Sequence, residues 1–206
     1  MAEGTSAAGE SGAGVAEREY MTSAKLKAYA HPLRRQLMRV LSREGYGRAA
    51  DLARIVGKPA NQVSFHLRAL SEIGWIEEAP ELARDGRDRV WRLVPSALDV
   101  GSPEHPAEDL DAGLAVLTVF AAEQRELLER VSAWSAKYVT GEDPETRGMA
   151  LAATLRLTRE EFGVLSERLQ ETIRDFGQRR PAGVRIEADG EVRAYDLAVL
   201  AADDTI

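Results

Sequence analysis

Cysteine is absent from the 206 residues. That absence excludes disulfides, thiolate metal sites, thiol redox switches and cysteine nucleophiles, and a cytoplasmic chain is the expectation. Long apolar runs are missing too: none approaches the roughly 20 residues that a membrane helix requires. Residues 1–19, rich in Ala, Gly, Ser and Glu, have neither the cationic start nor the apolar core of a secretory signal, and a disordered tail is expected there. A phosphate loop, a nucleophile elbow and a metal-ligand constellation are likewise missing, so no enzyme and no cofactor are expected.

The residues that are present are unevenly spread. The chain carries 27 Lys plus Arg against 34 Asp plus Glu, a formal charge of -7 that taken alone argues against a nucleic-acid partner. Residues 20–99 reverse that balance with 14 basic and 9 acidic side chains, so the acid excess belongs to the flanks. The length suits two small domains better than one large one.

Within the basic segment, Leu26, Tyr29 and Ala30 fall at helical spacing before a break at His31-Pro32. Proline is tolerated at a first helical position, and Leu33, Leu37, Val40 and Leu41 then share one face until Gly45 and Gly47. A short helix is predicted from Arg48 to Val56, stopping at Gly57, and another from Pro59 or Ala60 to Ile73. Trp75 to Ala79 and Arg89 to Val94 read as strands joined by a charged loop with the turn signal Asp85-Gly86. Three helices and then a two-stranded hairpin is the winged-helix order.

In the second helix of the pair, Val63, Leu67, Leu70 and Ile73 stand at steps of four, three and three and predict one buried stripe. Asn61, Gln62, Ser64, Phe65, His66 and Arg68 are then expected on the open side, where they suit base edges and phosphates in a major groove. Phe65 needs a particular reason to be there: a thymine methyl, a partner, or an adjacent element of the fold, which is the reading preferred. Arg84, Arg87 and Arg89 surround the wing turn, and Arg87 and Arg84 are expected to reach DNA unless Asp85 and Asp88 neutralise them. Trp91 is expected in the core.

These residues resemble the ArsR-type winged helix-turn-helix regulators. Ser64, His66, Leu67, Leu70 and Gly74 occupy the offsets of that family's signature, and His31-Pro32-Leu33-Arg34 is similar to its usual opening of the preceding helix. Gly86-Arg87 and Trp91-Arg92-Leu93 look like its wing turn and returning strand. The likeness covers about eighty residues, implies a repressor, adds Arg34 to the DNA-contacting set and implies a phosphate contact for His66. Family metal sensors use Cys or His pairs, whereas the three histidines here, His31, His66 and His105, lie far apart in sequence, so no metal site is expected. The usual Thr or Ser before the first helix of the motif is replaced by Gly47-Arg48, which predicts a ragged start.

Residues 100–109, with Pro103, Pro106 and several acids, read as a linker. In residues 110–206 a long helix is predicted from Leu110, Leu117, Phe120, Gln124, Leu127, Val131, Trp134 and Tyr138, whose spacing makes a seam suited to dimerisation or to an internal core. Met149 to Leu157 reads as extended. Thr158 and Glu161 form a capping box before a stripe of Phe162, Leu165, Leu169, Ile173 and Phe176. Val184 to Ala188 and Val192 to Ala201 read as strands around Asp189-Gly190. The expected fold is therefore mainly α with a small β part: an N-terminal winged helix-turn-helix and a C-terminal α+β dimerisation or effector unit with a long helix.

The expected function is that of a homodimeric, sequence-specific DNA-binding regulator on a two-fold symmetric operator. A winged helix that serves protein contact without DNA is the alternative. A small-molecule effector fits the C-terminal unit, although the sequence alone identifies no convergent polar cluster for one.

Overall fold

The first helix begins where the sequence offers a cap: the Thr22 hydroxyl accepts from the Lys25 N–H at 3.4 Å and opens α1, Ser23–Ala30. The structure is a computed structural model that describes residues 19–83, 89–94, 98–179 and 193–205. His31-Pro32 ends α1 and starts α2, Pro32–Glu44, with Pro32 at the first helical position as expected. The Arg35 guanidinium donates to the carbonyls of Tyr29 and Ala30, both at 2.9 Å, and so satisfies backbone that the end of α1 leaves open.

Two further helices, α3, Ala49–Val56, and α4, Ala60–Glu72, make the helix-turn-helix. Gly57 ends α3 at φ 64 in the left-handed conformation that glycine adopts without strain. Arg48 precedes α3 without a side-chain cap, in keeping with the ragged start predicted for this helix, and its guanidinium instead pairs with Asp51 at 2.7 Å.

Two strands of the sheet match the expected hairpin: β3, Ile76–Glu78, and β4, Val90–Leu93. A third strand, β2, Tyr46–Arg48, is not foreshadowed in the sequence and joins them antiparallel in the order β2-β4-β3. Gly47 lies opposite Trp91 in this ladder, and a Cβ on it would stand 2.9 Å from the Leu52 side chain. The sheet closes a core of Leu33, Leu37, Leu41, Leu52, Val63, Leu67, Leu70, Trp75 and Ile76, with Trp91 buried as expected. At the other edge of the domain, Glu19–Tyr20 (β1) pairs in parallel with Leu98–Asp99 (β5), which ties the start of the described chain to the exit from the winged helix.

Residues 100–109 fold back onto the domain. Val100 and Ala107 pack with Met21 and Tyr29 around Leu26, Ala112 and Val116, and the His105 ring stacks on Tyr20 at 4.8 Å. Asp109 then caps the long helix α5, Leu110–Thr140, by accepting from the Ala112 N–H at 3.0 Å, and it pairs with Lys27 at 2.8 Å. Lys27 and the Ala112 N–H hold the Asp109 carboxyl below the usual carboxylate range. One helical turn after Phe120, Glu123 accepts from the Tyr29 hydroxyl at 3.3 Å and pairs with Arg35 at 3.3 Å, so the first half of α5 is fastened to α1 and α2. Burial pushes the Tyr29 phenol up, and the Glu123 carboxylate adds to it.

Thr158 and Glu161 cap α6, Arg159–Arg179, reciprocally as predicted: the Glu161 N–H donates to the Thr158 hydroxyl at 3.2 Å and the Thr158 N–H to the Glu161 carboxylate at 2.7 Å. The last predicted strand is a correction. Residues 193–201 of the run Val192 to Ala201 form no strand, and their apolar side chains Tyr195, Leu197, Val199 and Leu200 are exposed, so alternation there covers no apolar surface of the described fold. Residues 149–157, expected to be extended, form neither helix nor strand, and Met149, Leu151 and Leu155 are exposed. The predicted run 184–188 and the Asp189-Gly190 turn lie outside the described residues, as do residues 1–18 of the expected tail. No helix among the described residues is long and apolar enough to cross a membrane.

Candidate nucleic-acid interface

The apolar stripe of α4 is sealed. Val63, Leu67 and Leu70 are fully buried and Ile73 packs partly buried against the same core. On the opposite side Asn61, Gln62, Phe65 and Arg68 are exposed, and their spacing of one, three and three residues places them on one face. Ser64 sits half-buried beside them, with its carbonyl accepting from the Arg68 Nε at 3.3 Å. The Asn61 side-chain oxygen receives the Gln62 N–H at 2.9 Å, which fixes the first turn of the helix.

Phe65 departs from the reading preferred for it. It is 60% exposed, so no element of the described fold covers it, and its ring only meets the edge of the His66 ring at 5.3 Å.

His66 corrects the expectation in the other direction. It is 6% exposed and lies in the packed side of α4, not on its open face. Position 66 is three residues after Val63 and four before Leu70, so the helical template already places it at the margin of the stripe; the polar side chain masks that signal. Its ring stands 4.5 Å from the ring of His31, and Nδ1 of each is buried without a hydrogen-bond partner. Burial pushes the His66 imidazole below its ordinary pKa, and the neighbouring His31 and Arg34 add to the effect. Arg34, half-buried with an unpartnered Nε, lies near enough to this pair to act on the charge of His66.

Arg84 and Arg87 of the wing lie outside the described residues. Of the flanking arginines, Arg89 pairs with Glu78 at 3.4 Å, and Arg92 pairs with Glu77 at 2.7 Å and Glu81 at 2.5 Å. The hydrogen bond that Arg92 donates to the Glu77 carboxylate holds its guanidinium above the usual pKa. Sequence reasoning passes over two exposed cations near the turn of the motif, Arg54 at the end of α3 and Lys58 just before α4. Their position between two helices, one of which presents an open polar face, is the available signal. No group of three or more potential metal ligands gathers among the described residues.

A family described as a helix-turn-helix domain matches residues 29–78, the segment from the end of α1 to the end of β3. No curated protein matches the chain. Among solved structures, it is similar to a possible transcriptional regulator for arsenical resistance, with 26% identity over 52% of this chain and 92% of that one and a TM-score of 0.30. The AntR antimony-specific transcriptional repressor is 25% identical over 55% of this chain and 93% of its own, with a TM-score of 0.33. ZitR of Lactococcus lactis is 16% identical over 69% and 74%, with a TM-score of 0.30.

Proposed function

We propose, from the premise that residues 29–78 match a helix-turn-helix domain, that this chain is a winged, ArsR-like, sequence-specific DNA-binding transcription regulator acting as a homodimer. The observation that carries the reading is the division of α4 into a sealed face at Val63, Leu67 and Leu70 and an open one at Asn61, Gln62, Phe65 and Arg68. A helix so divided lies on its own domain with one side while the other enters a major groove. Asn and Gln suit adenine, Arg suits guanine or a phosphate, and the exposed Phe65 suits a thymine methyl. Ser64 contributes from the edge of that face. His66 and Arg34 support the helix from behind and reach a phosphate at most from its margin, while Arg84 and Arg87 serve the backbone beside the wing.

Two protomers place two such helices on a two-fold symmetric operator with half-sites about 10 base pairs, or a multiple, apart. The uncovered apolar side chains of α5, among them Leu110, Leu114 and Leu117, support pairing through that helix. Repression is the sign of regulation that the resemblance favours.

The test is fluorescence anisotropy on a selected operator and on random duplex at several salt concentrations. Gln62→Ala and Arg68→Ala should each lose about 1–3 kcal/mol at one base position and leave random DNA nearly untouched. Arg87→Ala should weaken both duplexes alike and lower the salt slope by about one. Retention of no duplex at low salt would leave the domain as a protein-contact module.

A further inference from the structure

The end of α2 and the middle of α5 enclose a cleft of about 320 Å³, closed on its third side by residues 195–197. The volume is at the lower end of the range for small-molecule sites. Its chemistry is specific. Arg43 from α2 and Arg130 from α5 both donate to one oxygen of Asp196, at 2.8 and 2.7 Å, and among the described residues neither has another acidic partner. A third guanidinium on the rim, Arg39, is held only loosely, 3.8 Å from Glu123 and 3.9 Å from Glu126. Gln124 lines the same cleft, and its Oε1 is buried without a donor.

The segment that supplies Asp196 is attached by charge more than by packing. Tyr195 and Leu197 on either side are 59% and 66% exposed, and the next fastening is the ion pair of Arg193 with Glu145. Exposed ion pairs hold a segment weakly, since water and salt compete for both partners. The two arginines hold the Asp196 carboxyl below the usual carboxylate range, Arg130 most strongly, as they would any carboxylate seated there. The arrangement is thus a carboxylate site occupied by the chain's own side chain, next to a buried acceptor that this side chain leaves unsatisfied.

We propose that the cleft binds a small hydroxy acid, whose carboxylate replaces Asp196 between Arg43 and Arg130 and whose hydroxyl donates to Gln124. Asp196 is a tethered occupant that the ligand displaces, releasing residues 195–197 from the two helices. The site goes beyond the DNA-binding reading and does not depend on it, because binding is read without DNA.

The test is isothermal titration calorimetry on the full chain with L-malate, and with succinate as the matched acid that lacks the hydroxyl. Asp196→Ala, which empties the arginine pair, should bind malate at least tenfold more tightly than the unaltered chain, and Asp196→Asn should do so as well. Adding Arg130→Gln to Asp196→Ala should abolish the gain, and adding Gln124→Leu should erase the preference for malate over succinate. Circular dichroism melts establish that each variant is folded. Equal malate affinity in the unaltered chain and in folded Asp196→Ala and Asp196→Asn would overturn the proposal and leave Asp196 as a structural latch. Malate binding that survives Arg130→Gln would overturn it equally.

Discussion

His31 and His66 face each other with ring centroids 4.5 Å apart and planes tilted by 46°, one at the start of α2 and the other inside α4. Through this pair the helix proposed to read DNA rests on the helix behind it. Neither buried Nδ1 has a hydrogen-bond partner, and Arg34 adds a positive charge on the same side. A proton on His66 therefore meets a desolvated site, a second imidazole and a guanidinium.

Acid should destabilise the fold through this residue. An unfolded histidine titrates near about 6.5, and His66 in the folded chain titrates lower. Below the unfolded value the denatured state takes up a proton that the folded state resists, so stability is complete above about 6.5 and falls as the pH drops toward the depressed folded value. Urea denaturation on either side of about 6.5 should show a loss on acidification that is smaller in His66→Gln. An equal loss in both proteins would assign the acid sensitivity to other groups.

Phe65→Ala should separate folding from binding. The side chain is 60% exposed, so its removal should change stability by no more than about 0.5 kcal/mol, the range of ordinary surface substitutions. Operator affinity should fall by about 1 kcal/mol, the lower end of what a base contact supplies. A drop in melting temperature of several degrees would instead mean that Phe65 packs against the protein in solution.

Gly47→Ala should be costly although the new group is a single methyl. The Cβ would lie 2.9 Å from a Leu52 side-chain carbon, and Leu52 is 1% exposed, with no room to retreat. Overpacking of this kind costs about 1–3 kcal/mol. A thermal melt should show the loss, and Gly47→Ala combined with Leu52→Ala should lose less than the two single changes added together.

Much of the fold is legible locally. The Thr158 and Glu161 cap, the break at His31-Pro32 and the Val63, Leu67, Leu70 stripe each lie within a few residues of chain and reflect helix geometry alone. The features that escape a sequence reading depend on distant partners. Strand β2 has three residues, too few for alternation to register, and exists because β4 returns beside it. The parallel pairing of residues 19–20 with 98–99 leaves no local trace at all. Strand alternation sets Val90 facing away from Trp91, yet both are buried, so alternation along β4 does not separate covered from open. Conversely, the apolar alternation of 149–157 is a true pattern that pairs with no strand among the described residues. The Asp196 cleft joins three stretches of chain from α2, α5 and the tail, and no spacing rule connects them.

The exposed stripe of α5 gives the proposed dimer its most direct test. Leu110, Leu114, Leu117 and Leu128 are 67%, 53%, 50% and 64% exposed, and steps of four, three and eleven keep them along one side of the helix. The opposite side, at Ala112, Gly113 and Val116, is already buried against the winged helix, and no element among the described residues covers the leucines. Leaving such a stripe in water costs about 25 cal/mol for each Å² of apolar surface, and a stable pairing buries about 800 Å² per partner. Leu114→Glu with Leu117→Glu should keep the helical circular dichroism of the protomer, because both side chains are open in the single chain. Sedimentation equilibrium should then change from twice the chain mass to the chain mass, and operator binding should lose its dependence on the second half-site. A dimer that survives both glutamates would move the interface to α6, where Phe162, Ile173 and Phe176 are also uncovered.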